Sequence, residues 1–132
     1  MKTLLMNCDI LAGSPREGQL IHNGYVGVDG ANIDYIGQTA PEHMYDSVKD
    51  MQGCLLIPGL VNCHCHAPMV LLRGIGSDLP LQDWLFNHIM PIEERLTNHD
   101  IEAGTKLAAM EMLASGITSF TDMYFQPDIT AE

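Results

Sequence analysis

The chain has 132 residues, the length of one ordinary domain, and its 46% hydrophobic and 17% charged residues are typical of a folded globular protein rather than a disordered one. Six Lys and Arg against seventeen Asp and Glu give a formal net charge of −11, which disfavours binding to nucleic acid or to an anionic membrane surface. No apolar run approaches the ~20 residues of a membrane helix, and polar residues follow the N-terminus too soon for a secretory signal. We therefore expect a cytosolic protein.

The first part of the chain is predicted to be a set of short strands. Residues 3–11 have strand-like composition, and residues 19–28 and 33–37 form a predicted hairpin because alternating apolar residues flank an Asp-Gly turn signal. A polar connector then leads to another predicted strand at residues 54–57. These elements carry no obvious catalytic residues and are interpreted as scaffold.

An apolar run from Leu55 to Val61 predicts a buried strand that ends in two histidines. Side chains alternate along a strand, so His64 and His66 are expected on one face and Cys63 and Cys65 on the other. The Cβ atoms of the two histidines would be roughly 7 Å apart, which lets both imidazoles approach one ion at the ~2.0–2.1 Å of a Zn–N bond. Two imidazoles are half of a tetrahedral site; the alternative is a pair of polar residues at a strand end.

The four cysteines lack the spacing of a disulfide framework, and a reducing compartment would keep them as thiols. Cys63 and Cys65 are alternative soft metal ligands, but they lack the C-x-x-C spacing of Cys-ligated deaminases and should face away from the histidines. We expect both to be buried as small hydrophobic residues.

Helical patterns follow the histidines. Residues 67–73 suit a short helical turn, and Pro80 should begin a helix in which apolar side chains recur at helical spacing and which Pro91 kinks or restarts. The recurring residues are Leu81, Trp84, Leu85, His88 and Ile89.

A second helix is predicted to begin at a capping box formed by Thr97 and Asp100 and to end before Gly116. Its expected inward residues are Ile101, Ala103, Leu107, Ala108, Met110, Leu113 and Ala114. Residues 117–123 then form a predicted strand, so that strand, helix and strand make a parallel βαβ unit with a right-handed crossover.

The stretch Pro58-Gly59-Leu60-Val61-Asn62-x-His64-x-His66 resembles the first barrel strand of the amidohydrolase superfamily. The segments Leu71-Leu72-Arg73-Gly74, Asp78-Leu79-Pro80-Leu81 and Trp84-Leu85 resemble its aminohydrolase branch, which holds the methylthioadenosine/S-adenosylhomocysteine deaminases and, as relatives, guanine deaminases and triazine chlorohydrolases.

This resemblance implies an α/β fold in which residues 1–57 are strands of a small β-sandwich and residues 58–132 are the first two βα units of a (β/α)8 barrel. A complete barrel needs roughly 250 residues. We therefore expect the chain to be the N-terminal part of a larger metal-dependent hydrolase that forms a homo-oligomer.

The resemblance also implies a chemistry. His64 and His66 match the first two ligands of one divalent ion, expected to be zinc, although Fe, Mn or Ni would also suit imidazole. The remaining ligands and a catalytic glutamate would come from later strands, so no catalytic residue is expected in this chain. In the family, metal-activated water displaces the amino group of a purine nucleoside-like small molecule.

Two further residues match substrate contacts of the resembled deaminases. Glu93 matches a glutamate that accepts hydrogen bonds from the ribose hydroxyls, and a carboxylate suits a vicinal diol because its two oxygens can accept two donors. Trp84 matches an aromatic residue that borders the adenosyl pocket. The alternatives are that Glu93 lies on a solvated helix surface and that Trp84 packs in the core.

Other histidines are assigned no function. His99 and Glu102 form an H-x-x-E pattern, but it lies in the first turn of a predicted helix, where acidic residues favour the helix dipole. His22 and His43 are expected in solvent, and His88 is expected to pack on an apolar stripe.

Two alternative functions remain open from the sequence. One is a chlorohydrolase or another ring hydrolase of the same superfamily, and the other is a small non-catalytic metal-binding or interaction module.

Overall fold

The computed structural model describes residues 1–14 and 16–131, and the chain divides into two compact units, Met1–Pro58 and Gly59–Glu132. The first unit is built from strands, and the second combines two strands with helices. None of the helices within the described residues is both long and apolar enough to cross a membrane.

The first unit is one five-stranded mixed sheet. Its strands are β1 (Lys2–Ala12), β2 (Gln19–Asp29), β3 (Asn32–Gly37), β4 (Ser47–Asp50) and β5 (Leu55–Leu56). The order is β3-β2-β1-β4, and β5 also pairs with β1. Strand β1 is antiparallel to β2 but parallel to β4 and β5. The described residues of this unit thus form a single sheet.

The β2–β3 hairpin confirms the prediction made from the Asp-Gly signal. Gly30 has a φ of +60°, in the left-handed region that glycine adopts without steric cost. The centre of the sheet packs around Cys8, Ile10 and Val26, which are all buried. Burial of these apolar side chains is the main favourable term for this unit.

The predicted buried strand from Leu55 to Val61 is wrong. Leu55–Leu56 pairs with β1 in the first unit, and the next strand, β6, begins at Leu60 in the second. Pro58 separates them because it has no N–H to donate to a strand ladder. Leu60 and Val61 are 51% and 61% exposed, so the run is also not buried within the described residues.

The second unit contains a parallel strand pair, β6 (Leu60–Cys65) and β7 (Ile117–Asp122). Between them lie a 3₁₀ turn, a helical segment that begins α-helical, widens to a π-helix and returns to α at Met90, and one long helix. These elements are Ala67–Leu72, α1 (Leu81–Asp83), the π-helix Trp84–Ile89, α2 (Met90–Glu93) and α3 (Asn98–Ala114); a short helix, α4 (Pro127–Thr130), follows β7. The parallel pairing confirms the predicted βαβ arrangement.

Helix α3 begins at the predicted capping box. The backbone N–H of Asp100 donates to Thr97 Oγ1 at 3.3 Å, and the backbone N–H of Thr97 donates to Asp100 Oδ2 at 2.8 Å. Hydrogen bonds from the Thr97 side chain and backbone lower the pKa of Asp100. The helix ends at Ala114, and Gly116 takes a φ of +80° just after it, as predicted for a glycine at this end.

The buried face of α3 matches the predicted one only in part. Ile101 and Ala108 are buried as predicted, and Gly104 and Thr105 are buried with them. The predicted Leu107, Met110 and Leu113 are instead 41%, 68% and 64% exposed. Gly104 permits this packing because a Cβ there would lie 2.8 Å from the Pro68 carbonyl oxygen. The 3₁₀ turn therefore approaches the backbone of α3 directly.

Replacing Gly104 by Ala should destabilise the protein, although Ala is normally favoured over Gly by roughly 0.5–1 kcal/mol inside a helix. The added Cβ would overlap a backbone carbonyl, and such overpacking typically costs about 1–3 kcal/mol. The free energy of unfolding in urea measures the effect. Met110→Ala, at a position that is 68% exposed, is the control and should change it by no more than about 0.5 kcal/mol. A stabilised Gly104→Ala variant would contradict the close approach.

Candidate metal and substrate site

The two predicted metal-binding histidines lie at the carboxyl end of β6. His64 is the penultimate residue of this strand and His66 follows it directly. Their ring centroids are 5.4 Å apart and the rings are inclined at 66°. His64 is exposed and His66 is half-buried. The structure therefore brings the two imidazoles together beside the end of a parallel strand pair.

The regular side-chain alternation assumed for β6 is interrupted. Asn62 lies opposite Phe120, but Cys65 lies opposite Asp122, so β6 has one more residue than β7 between these pairs. The backbone N–H of His64 donates to Asn62 Oδ1 at 3.2 Å within this bulge. The imidazole rings are adjacent despite the irregular register.

The two cysteines of this strand differ in their surroundings. Cys63 is exposed, so its predicted burial is wrong, and Cys65 is half-buried with its Sγ 4.0 Å from Asp122 Oδ1. Burial, followed by the negative charge of Asp122, raises the pKa of the Cys65 thiol. The neutral thiol is a poorer metal ligand than the thiolate.

Asp122 is a site residue that the sequence reasoning missed. It ends β7, and its Oδ1 accepts hydrogen bonds from the backbone N–H groups of Ala67 at 3.2 Å and Tyr124 at 3.1 Å. Its Oδ2 is buried and has no hydrogen-bond partner within the described residues. This carboxylate therefore holds the turn that begins directly after His66. A carboxylate at the carboxyl end of the second predicted strand was the signal available.

The histidine pair suits half of a metal site. Neutral imidazole binds Zn, Fe and Ni well, and a tetrahedral zinc ion needs four ligands. In residues 1–14 and 16–131 no group of three or more His, Cys, Asp or Glu side chains is arranged to hold a metal ion. His64 and His66 can accordingly supply two ligands, and the described part of the chain supplies no third.

Glu93 occupies a second position in this unit, at the end of α2. It is half-buried and borders a pocket of about 240 Å³. The other residues that line the pocket are Met90, Glu94, Leu96, Phe125 and Gln126. Glu93 therefore does not lie on a fully solvated helix surface, which was the alternative drawn from the sequence.

The Glu93 carboxylate affects the buried phenol of Tyr124 through its charge. Tyr124 is 6% exposed, and burial, followed by the negative charge of Glu93, raises the pKa of Tyr124 to about 12. Glu93 Oε1 is buried and has no hydrogen-bond partner within the described residues. The site therefore holds a carboxylate that retains an unused acceptor.

Trp84 is half-buried and forms a hydrogen bond to the loop of residues 74–78, which contains two glycines. Its Nε1 donates to the carbonyl of Ile75 at 2.9 Å, and a Cβ on Gly76 would lie 2.9 Å from its Cδ1. Within the described residues Trp84 does not line the pocket beside Glu93. His88 was predicted to pack beside Trp84 but is exposed. The buried residue of the segment Trp84–Ile89 is Ile89.

The remaining histidines are on the surface, as predicted. His99 is exposed in the first turn of α3, and Glu102 of the H-x-x-E pattern forms an ion pair with Lys106. His22 and His43 are exposed and lie near carboxylates of the first unit.

Comparisons with known proteins identify similar deaminases. The chain is 44% identical to a 5′-deoxyadenosine deaminase of Methanosarcina barkeri over 129 residues, which cover 98% of this chain and 29% of the relative. It is also 44% identical to a 5-methylthioadenosine/S-adenosylhomocysteine deaminase of Syntrophomonas wolfei over 132 residues, which cover 99% of this chain and 30% of the relative. The chain thus spans about 30% of the length of these relatives.

A solved structure is similar over the same region. The crystal structure of an adenosine deaminase from Xanthomonas campestris with bound zinc matches with a TM-score of 0.84 and 32% identity, and covers 98% of this chain and 30% of that chain. The amidohydrolase family model matches residues 55–131, which include both histidines, Glu93 and Asp122. The chain therefore belongs to the amidohydrolase family.

Proposed function

We propose that the enzyme that carries this chain hydrolytically deaminates an adenosine-like nucleoside, of the class to which 5′-deoxyadenosine, 5′-methylthioadenosine and S-adenosylhomocysteine belong. The observation that carries the proposal is the half-buried Glu93 carboxylate, which borders a pocket and keeps one buried oxygen without a partner. The names of the two deaminases at 44% identity support the same substrate class.

In this proposal His64 and His66 hold one divalent ion at the carboxyl end of β6. Zinc is the expected ion because the similar deaminase from X. campestris contains it. A bound ion of this kind lowers the pKa of water enough to make it a nucleophile near neutral pH. The chain itself orients the two imidazoles. The hydrogen bond from Ala67 to Asp122 supports this role because it holds the turn after His66.

Glu93 binds the ribose in this proposal, and Trp84 borders the adenosyl group. A carboxylate can accept a hydrogen bond from each hydroxyl of a vicinal diol, and hydrogen bonds to a charged acceptor are stronger than neutral ones. The hydrogen bond from Trp84 Nε1 to Ile75 holds the indole ring in one orientation, as a pocket wall requires.

We also propose the wider architecture. The second unit would supply the first two βα units of a (β/α)8 barrel, because its two strands are parallel and joined through a helix. The strands of the first unit would belong to a small β-sandwich. The complete enzyme would be a cytosolic homo-oligomer.

Metal content tests the role of the histidines. In the full-length enzyme, His64→Ala or His66→Ala should reduce bound metal and activity together. Loss of a residue that only orients a ligand costs about 10–100-fold in metal affinity, and loss of a ligand should cost at least as much. Elemental analysis after dialysis gives the metal stoichiometry. Cys63→Ser and Cys65→Ser are the controls from the same strand, and an equal loss of metal from either would contradict the assignment.

Substrate discrimination tests the role of Glu93. In the full-length enzyme, Glu93→Gln should lower kcat/KM for 5′-deoxyadenosine by a factor that corresponds to about 1–3 kcal/mol, because a charged acceptor for two hydroxyls is lost. The value for 2′,3′-dideoxyadenosine, which lacks the diol, should barely change. Glu42→Gln, at an exposed position of the first unit, is the control and should affect neither substrate. Equal losses on both nucleosides would make Glu93 structural.

A substrate panel separates the proposed reaction from its alternatives. The full-length enzyme should release ammonia from 5′-deoxyadenosine, 5′-methylthioadenosine or S-adenosylhomocysteine in preference to guanine. Release of chloride from a chlorotriazine would favour the chlorohydrolase instead. An enzyme that binds metal stoichiometrically but turns over none of these substrates would favour the non-catalytic module.

A further inference from the structure

We propose that Asp122 is a positioning residue for His66: its carboxylate caps the 3₁₀ turn in place of the His66 side chain and thereby leaves the imidazole free to bind a metal ion. This inference rests on the proposed function, since it takes His66 as a metal ligand. It gives the end of β7 a role in metal affinity without placing Asp122 on the ion.

His66 occupies the N-cap position of the 3₁₀ turn Ala67–Leu72. The side chain of an N-cap residue commonly accepts a hydrogen bond from one of the first amides of the helix that follows. Within the described residues the His66 side chain makes no such bond. Its ring centroid lies 5.4 Å from that of His64. The turn therefore does not use the imidazole, which remains beside its proposed partner.

The first three residues of the turn nevertheless have no amide left over. Pro68 has no N–H, and the N–H of Met69 donates to the His66 carbonyl at 2.9 Å. The N–H of Ala67 donates to Asp122 Oδ1 at 3.2 Å. Ala67 is 3% exposed, and a buried amide without an acceptor is costly. Asp122, 55 residues away along the chain, thus supplies the cap that His66 does not.

The backbone on both sides of His66 is held by the end of β7. Cys65 lies opposite Asp122 in the strand pair, and its carbonyl accepts a hydrogen bond from the N–H of Met123 at 2.9 Å. The Asp122 carboxylate holds the amide that follows His66 and also accepts the N–H of Tyr124 at 3.1 Å. Because a side chain takes one of a few rotamers on its backbone, these contacts restrict the directions in which the imidazole can point.

Asp122 is the one side chain among these contacts, so a substitution can remove its part alone. A ligand that is oriented before the ion arrives loses less conformational entropy on binding. Residues that orient a metal ligand without touching the metal typically contribute about 10–100-fold to metal affinity. Because Asp122 acts through an acceptor oxygen, the effect should depend on that oxygen rather than on the negative charge.

The zinc affinity of the full-length enzyme, measured without substrate, tests the inference. Asp122→Ala removes the acceptor and should raise the zinc dissociation constant about 10–100-fold. Asp122→Asn keeps one acceptor oxygen and should change this constant by less than about threefold. Its amide nitrogen would take the place of the buried Oδ2 and should lower the Tm of the metal-free protein. The visible spectrum of the cobalt(II)-loaded enzyme, which reports ligand geometry, should change only in Asp122→Ala.

Controls separate a positioning role from a structural one. Ile10→Val, in the buried core of the first unit, should lower Tm and leave the zinc affinity and the cobalt spectrum unchanged. A structural role for Asp122 predicts that zinc affinity follows Tm across all three variants, and that result would overturn the inference. A rise of about tenfold or more in the zinc dissociation constant of Asp122→Asn would also overturn it, because the charge would then matter.

A second variant covers the case in which Asp122→Ala does not fold. Asp122→Ser has an oxygen one bond nearer the backbone, too short to reach the Ala67 amide in the same way. Its zinc dissociation constant should rise as expected for Asp122→Ala. Zinc affinity equal to that of the unsubstituted enzyme in a folded Asp122→Ser protein would overturn the inference.

The outcome also distinguishes this inference from the proposed function. If His66→Ala loses zinc but Asp122→Ala binds it normally, the positioning role fails and the metal site stands. If His66→Ala retains zinc, the proposed metal site fails and the positioning role fails with it.

Discussion

The candidate site depends on one carboxylate at the end of β7. Asp122 Oδ1 accepts hydrogen bonds from the backbone N–H groups of Ala67, directly after the two histidines of the proposed metal site, and of Tyr124, directly before Phe125 of the pocket at Glu93. A hydrogen bond to a charged acceptor is worth roughly 1.5–3 kcal/mol, more than a neutral one. The bond from Ala67 joins the ends of β6 and β7, and the bond from Tyr124 holds the turn directly after β7. The proposed metal half and the proposed ribose half of the site therefore share one support.

Burial determines how the acidic residues of the site behave. The chain carries a formal net charge of −11, and most of its carboxylates are exposed, yet Asp122 and Glu93 each bury one oxygen without a partner among the described residues. A buried anionic oxygen is costly unless donors approach it. For Asp122 two backbone amides reach the other oxygen. The fold thus places two hydrogen-bond donors on this partly buried carboxylate.

The sequence predicts those features that depend on neighbours along the chain. The hairpin at Gly30, the capping box at Thr97 and the glycine after α3 follow from local backbone chemistry, and the H-x-H motif directs attention to His64 and His66. The failures depend on partners that are distant in sequence. The leucines of α3 resemble its core face, but the 3₁₀ turn packs against Gly104, because only a residue without a Cβ lets Pro68 approach. The position of Asp122 at the end of the second predicted strand was visible in the sequence, but its hydrogen bond with Ala67, 55 residues away, was not.

The contacts of Asp122 also explain why a carboxylate is suited to that position. An asparagine could accept hydrogen bonds from Ala67 and Tyr124 through its single oxygen, but its amide nitrogen would occupy the place of the buried Oδ2. That group carries two donors, and each would need a buried acceptor to avoid a cost of about 1–3 kcal/mol. The carboxylate has the further effect of placing a negative charge near Cys65, which favours its neutral thiol over a thiolate that would compete for a soft cation. The same residue therefore holds the turn after His66 and disfavours a thiolate beside the two imidazoles of the proposed metal site.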